Sequence, residues 1–195
     1  MKINRLLKNG FIAGLILAVM CPAATSFAAE GEQELLERAN QCLLVLKNRD
    51  FKQLSMFVHP KKGISFSPYA FVSQEDVRLS AASVKSLKPA RKYLWGYFDG
   101  SGFPMELSVE EYFNRFVFDH DYSQAPEIGI NRLVKTGNTV SNLDRAFPGA
   151  SFVEYHFPGF NPEYEGIDWA SLRLIFEKDG NRWMLVGIVH DCWTI

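Results

Sequence analysis

The densest group of reactive side chains in the 195-residue chain is His190-Asp191-Cys192, inside the terminal run LVGIVHDCWTI. A histidine titrates near neutral pH, so a carboxylate beside it would make a general base. A thiol beside it would make a nucleophile. The apolar run that carries them reads as a β-strand, and neighbours on a strand point to opposite faces. His190 then falls in the register of Met184, Val186 and Ile188, and Asp191 in that of Trp183, Leu185 and Val189. The two form no direct pair unless the strand has ended or bulged. The plainer reading of His190 is a core histidine satisfied by backbone hydrogen bonds.

A second group lies in SFVEYHF, where Glu154 and His156 are two residues apart on one strand face. Arg173 reaches the same face from a neighbouring strand, because Leu172, Leu174 and Phe176 point the other way. In a pocket, a carboxylate, an imidazole and a guanidinium suit a small anionic or carbonyl ligand. On a solvated face they would be ordinary cross-strand pairs. With Asp168 as a further carboxylate, the candidate catalytic residues are His190, His156, Glu154 and Asp168. The candidate ligand-binding residues are Glu154, His156, Arg173 and His190. Asp119, His120, Asp121 and Asp99 would hold a metal only if several converged, and Asp99-Gly100-Ser101-Gly102 lacks the acidic density of a calcium loop. No metal or other cofactor is expected. The chain has no phosphate-binding Gly-rich loop, zinc-protease helix or serine elbow.

The elements that must position these groups begin after a leader. Lys2, Arg5 and Lys8 precede the apolar run Phe11 to Met20, and Ser26-Phe27-Ala28 offers small residues for cleavage after Ala28. Residues 1–28 are therefore read as a signal peptide and 29–195 as one exported domain, periplasmic or secreted. The run is too short for a permanent membrane helix, so no transmembrane segment is expected after cleavage. A lipid anchor at Cys21 would have Met20 directly before it, a poor junction for lipidation. Losing Lys2, Arg5 and Lys8 takes 21 basic residues to 18 against 22 acidic, a net charge near −4. That excludes a general binder of nucleic acid, which needs a basic surface. Cys42 and Cys192 then remain, an even number in an oxidising compartment. A disulfide between them would close a loop of about 150 residues and contribute about 4 kcal/mol. The alternative is two separate buried thiols.

From Glu34 to Lys47, apolar residues recur with helical spacing, and Asp50-x-x-Gln53 starts a second helix through Val58. Ile64 to Phe66 is a brief strand. Val77 and Leu79 alternate with polar neighbours, and Ser80 caps a helix to Leu87. Tyr93 to Phe98 is strand-like, and Ser108-Val109-Glu110-Glu111 is a capping box for a helix bearing Tyr112, Phe113, Phe116 and Val117. Ile128 to Thr136 and Ser151 to Phe157 are strands, Pro158 to Asp168 is a loop, and Trp169 to Ile195 is a long hairpin turning at Lys178 to Asn181. Sixteen Phe, seven Tyr and four Trp make the core aromatic. Tyr69, Phe71, Trp95, Tyr97, Phe98 and Phe103 cluster near Gly/Pro turns, as core plugs or as a platform for a peptide, glycan or protein.

The expected architecture is α+β: a strongly bent antiparallel sheet packed against N-terminal helices. Its element order resembles the cone-shaped ketosteroid-isomerase-like (nuclear-transport-factor-like) fold, which implies a pocket between the sheet and the long first helix. The strings HPKKGISFSPYAFV, YLWGYFDGSG, VEYHFPG, DWASLRLIFE and LVGIVHDCWTI resemble an uncharacterised family of exported bacterial proteins. That resemblance implies export and a single domain, and brings no catalytic residue. The expected function is non-catalytic binding of a small molecule or an envelope partner protein. The alternative is a pocket enzyme, of isomerase or hydrolase type, using His190 or His156 with Glu154, Asp168 or Asp191.

Overall fold

A computed structural model of the chain describes residues 22–194. Most of the expected leader, residues 1–21, lies outside the described residues, and its remainder belongs to the first helix. That helix, α1, runs Pro22–Lys47, well ahead of the apolar spacing that begins at Leu35. Glu30, Glu32 and Gln33 are good helix formers and extend it without a buried face. Leu35, Ala39, Cys42, Leu43 and Leu46 supply the buried stripe. A short helix, α2 (Phe51–Leu54), is capped by Asp50, whose carboxylate accepts from Gln53 N at 2.9 Å. The chain leaves the helix well before Val58, which instead bridges to Leu185.

Strands β1 (Ile64–Ser67) and β2 (Val77–Leu79) precede α3 (Ala81–Lys85), capped by Ser80 as expected. Strands β3 (Lys92–Tyr97) and β4 (Pro104–Ser108) form a separate two-stranded ribbon. Helix α4 (Val109–Phe116) has its capping box in full, with Ser108 and Glu111 satisfying each other's backbone N–H. Then come β5 (Glu127–Ile130), a short α5 (Leu143–Ala146), β6 (Ser151–Phe157), β7 (Ala170–Asp179) and β8 (Arg182–Cys192). The expected strand Ile128 to Thr136 stops early because Asn131 turns out of it at φ 50° and accepts Phe152 N–H on its side chain.

The main sheet has six strands in the order β2-β1-β8-β7-β6-β5, so the terminal hairpin β7–β8 occupies its centre. The sheet is mixed, not purely antiparallel, because β1 runs parallel to β8. Between them the two faces of β7 and β8 divide the core. Leu172, Leu174, Phe176, Leu185 and Ile188 join the large cluster under α1 and α4. Ile175, Val186 and Val189 join a smaller one with Leu143 and Phe147 on the other side. Strict alternation misplaces part of β8. Ile175 pairs with Gly187 but Phe176 pairs with Leu185, so Val186 is an extra residue in a bulge. Leu185 therefore shares the face of Ile188 and His190, and Met184 and Val186 turn to the face of Asp191. Gly187 sits at the bulge for lack of room: a Cβ there would lie 2.6 Å from the Phe147 ring.

No helix among the described residues is long and apolar enough to cross a membrane. Cys42 and Cys192 are both free, the first buried and the second half-buried, so the candidate disulfide is not formed. Cys42 is sealed under α1, on the helix whose Asn40 accepts the Tyr155 hydroxyl at 2.8 Å. Cys192 sits at the far end of β8, opposite Ala170.

Candidate functional site

The sequence-derived candidates separate into two places on opposite faces of the sheet. Glu154, His156, Ser171, Arg173 and Asp191 lie on the smaller-cluster face. β6 and β7 put Glu154 directly opposite Arg173 and His156 opposite Ser171, and β8 puts Asp191 opposite Ser171. Glu154 and Arg173 are 0% exposed. Arg173 Nε donates to Glu154 Oε2 at 3.0 Å, and its Nη2 donates to Asp191 Oδ2 at 2.7 Å and to the Lys135 carbonyl at 2.9 Å. Glu154 also accepts from Val134 N at 3.1 Å.

The Ser171 hydroxyl donates to Glu154 Oε1 at 2.7 Å, so at its 2.8 Å contact with His156 Nδ1 it must accept. That fixes the proton of His156 on Nδ1. Burial holds this imidazole below its ordinary pKa against the opposing pull of Glu154, so it is neutral at pH 7. The serine proton points away from the histidine, opposite to the arrangement an activated nucleophile needs. Burial also raises the Asp191 carboxyl, outweighing Arg173. Glu154, His156 and Arg173 thus meet as alternation required, yet the segment carrying Val134 and Lys135 closes over them, and they line none of the cavities described below.

The second place is a cavity of about 460 Å³ at the open end of β7 and β8, between the C-terminal end of α4 and the β6–β7 loop. His190, Cys192, Asp119 and Asp168 line it, with Arg115 and Trp193. His190 is 3% exposed and reaches the cavity because it shares its strand face with Ile188. Its Nε2 lies 3.3 Å from Asp119 Oδ2 and its Nδ1 3.3 Å from the Pro68 carbonyl. Both partners are acceptors, so only the doubly protonated ring satisfies both. Burial alone would lower the pKa of this ring. The hydrogen bond to Asp119 and its charge, with a contribution from nearby Cys192, win and push it up to about 10. In return His190 holds Asp119 below the usual carboxylate range, despite burial acting the other way. Tyr122 donates to the other Asp119 oxygen at 2.9 Å. His190–Asp119 is therefore a preformed ion pair in the cavity wall.

The remaining wall is made by the loop and by aromatic rings. Asp168 Oδ2 accepts from Phe160 N and Asn161 N at 3.1 and 2.7 Å, which shapes the loop. That is the position of the fourth catalytic candidate. The Arg115 guanidinium lies over the Phe98 and Phe116 rings at 4.7 and 5.3 Å, with no carboxylate at ion-pair distance among the described residues. His120 packs on Phe160 with ring centroids 3.9 Å apart. Its Nδ1 is 3.4 Å from Asp119 Oδ2. Among the described residues no group of three or more His, Cys, Asp or Glu side chains converges as a metal ion would require.

Asp119, Arg115 and Trp193 line the cavity but are not among the sequence-derived binding candidates. Asp119 stands 71 residues from His190 with no local pattern to join them. Trp193 carried one readable signal, a large aromatic immediately after a strand ends. No model of a known protein family matches the chain, and no curated protein matches it.

Proposed function

We propose that the chain is a non-catalytic binding domain of an exported protein, taking a small molecule into the cavity walled by His190 and Asp119. One observation carries this reading. His190, the more buried of the two histidines lining the cavity, has both ring nitrogens directed at acceptors, and its pKa is pushed up to about 10. A general base must be able to take up a proton near the working pH, and this ring cannot. What remains suits recognition: fixed donors and acceptors among aromatic walls, in a volume within the usual range of ligand sites. Export is supported by the basic start, apolar run and small-residue stop of residues 1–28. The cone-like reading of the fold belongs with this proposal, supported by element order and by α1 and α4 packing on one sheet face with a cavity at the sheet's open end.

The enzyme reading ranks second on one observation, that Cys192 and His190 share a strand face and a cavity with Asp119. It requires a histidine free to accept the thiol proton, and both His190 nitrogens face other acceptors.

Native mass spectrometry of the protein purified from its own host tests the proposal. The expected result is a bound small molecule, lost in Arg115→Ala and Trp193→Ala. Turnover of any substrate that vanishes in His190→Gln while binding persists would overturn it.

A further inference from the structure

The His190 cavity does not stand alone. On one side it shares Ile167, Asp168 and Trp193 with a second cavity of about 460 Å³, walled also by Glu163, Tyr164 and Glu165. On the other it shares Tyr69 and Asp99 with a third of about 240 Å³, which holds Phe71, Asp76 and Tyr97. The Tyr69 hydroxyl accepts Asp99 N–H at 3.1 Å, so the divider between these two is one hydrogen-bonded pair.

We propose that the three cavities form one continuous cleft whose ligand is a carbohydrate chain without acidic groups. The inference rests on the binding reading above and names its ligand class. Aromatic rings carry the first argument. Tyr164, Trp193, Phe160, Tyr97 and Phe71 are 46–57% exposed, and every cavity contains at least one. A half-exposed ring on a cavity wall presents a flat apolar face, which the C–H face of a sugar ring matches.

Charge carries the second. In the central cavity Arg115 and His190 stand among Asp99, Asp119 and Asp168, with His190 paired to Asp119. A bound anion would need an excess of cations, which no part of the cleft has, and a cation seated in the central cavity would meet Arg115. A hydroxyl both donates and accepts, so a neutral polyol can use donors and acceptors set side by side. The outer cavities add Glu163 and Glu165 at one end and Glu75 at the other, which repel a polyanion along the whole length.

The probe is a glycan array carrying neutral and uronic-acid-containing oligosaccharides, from mono- to hexasaccharide. Isothermal titration of the strongest neutral binder and its monosaccharide follows. The longer chain is expected to bind at least about tenfold more tightly than its monomer. Tyr97→Ala, in the third cavity, should weaken the long chain several-fold and leave the monosaccharide unchanged. Trp193→Ala, at the central mouth, should weaken both. Circular dichroism checks that these exposed-site variants fold. Equal affinity of chain and monomer, with no effect of Tyr97→Ala, overturns the continuous cleft and leaves the small-molecule reading standing. Preference for the acidic glycans, or no glycan bound while a different host molecule co-purifies, overturns the ligand class.

Discussion

Raising the pH from about 7 to about 9 should destabilise the protein through one buried imidazole. His190 is buried in the cavity wall, and its pKa is pushed from the ordinary 6.5 up to about 10 by Asp119 and Cys192 against the cost of burial. The folded state therefore holds this proton more tightly than the unfolded chain. Its contribution is fully present below about pH 6.5, declines through the interval between, and is lost as the pH passes about 10. Across that interval the slope is about 1.4 kcal/mol per pH unit, so the whole contribution is of order 3–5 kcal/mol. Urea unfolding of the wild type and His190→Gln isolates it. The variant keeps a donor toward Asp119 but cannot titrate, so the stability gap should narrow by about 2–3 kcal/mol between pH 7 and pH 9. Repeating both in a Cys192→Ser background keeps the neighbouring thiol from contributing. A gap that stays constant over that range refutes the reasoning, as does an NMR titration placing the His190 ring near 6.5. The same result would restore His190 as a candidate base and reopen the enzyme reading.

Arg173→Met should lower unfolding stability by about 3–5 kcal/mol, because Glu154 and Asp191 are left buried without their cation. Converting Glu154 to Gln and Asp191 to Asn in the same variant should recover part of the loss, and a urea midpoint unchanged by Arg173→Met would show that the network does not hold this face. Thiol labelling of the denatured, non-reduced protein should find both Cys42 and Cys192 reactive. In the native protein Cys192 should label first, since burial seals Cys42 and pushes its thiol up to about 12. A protein with neither thiol reactive after denaturation would restore the disulfide.

Local chemistry carried most of the elements. Asp50, Ser80 and Ser108 cap their helices where the sequence places them, and the β7–β8 turn falls at Gly180 with φ 62°. Strand period alone put Glu154, His156 and Arg173 on one face. What failed depended on a single inserted residue or on distance along the chain. Val186 shifts the register of β8, and the isolated Gly187 beside it was the available sign of a bulge. Strand β4 opens on Pro104, which reads as a breaker although proline is tolerated at a strand's first residue. The pairing of Asp119 with His190 and the cover over Arg173 arise only once the sheet has assembled. The site was therefore legible residue by residue, but not in its grouping.

The position of β8 between β1 and β7 constrains the order of folding. β1 and β2 are made early but meet the rest of the sheet only through β8, across more than a hundred residues. Until β8 arrives, β1 and β7 are both open edges, the form in which strands recruit foreign partners. Such long-range closure slows folding. A chain built this way gains from staying unfolded until β8 is available. The same topology would make truncation within β8 a cause of aggregation rather than of partial function.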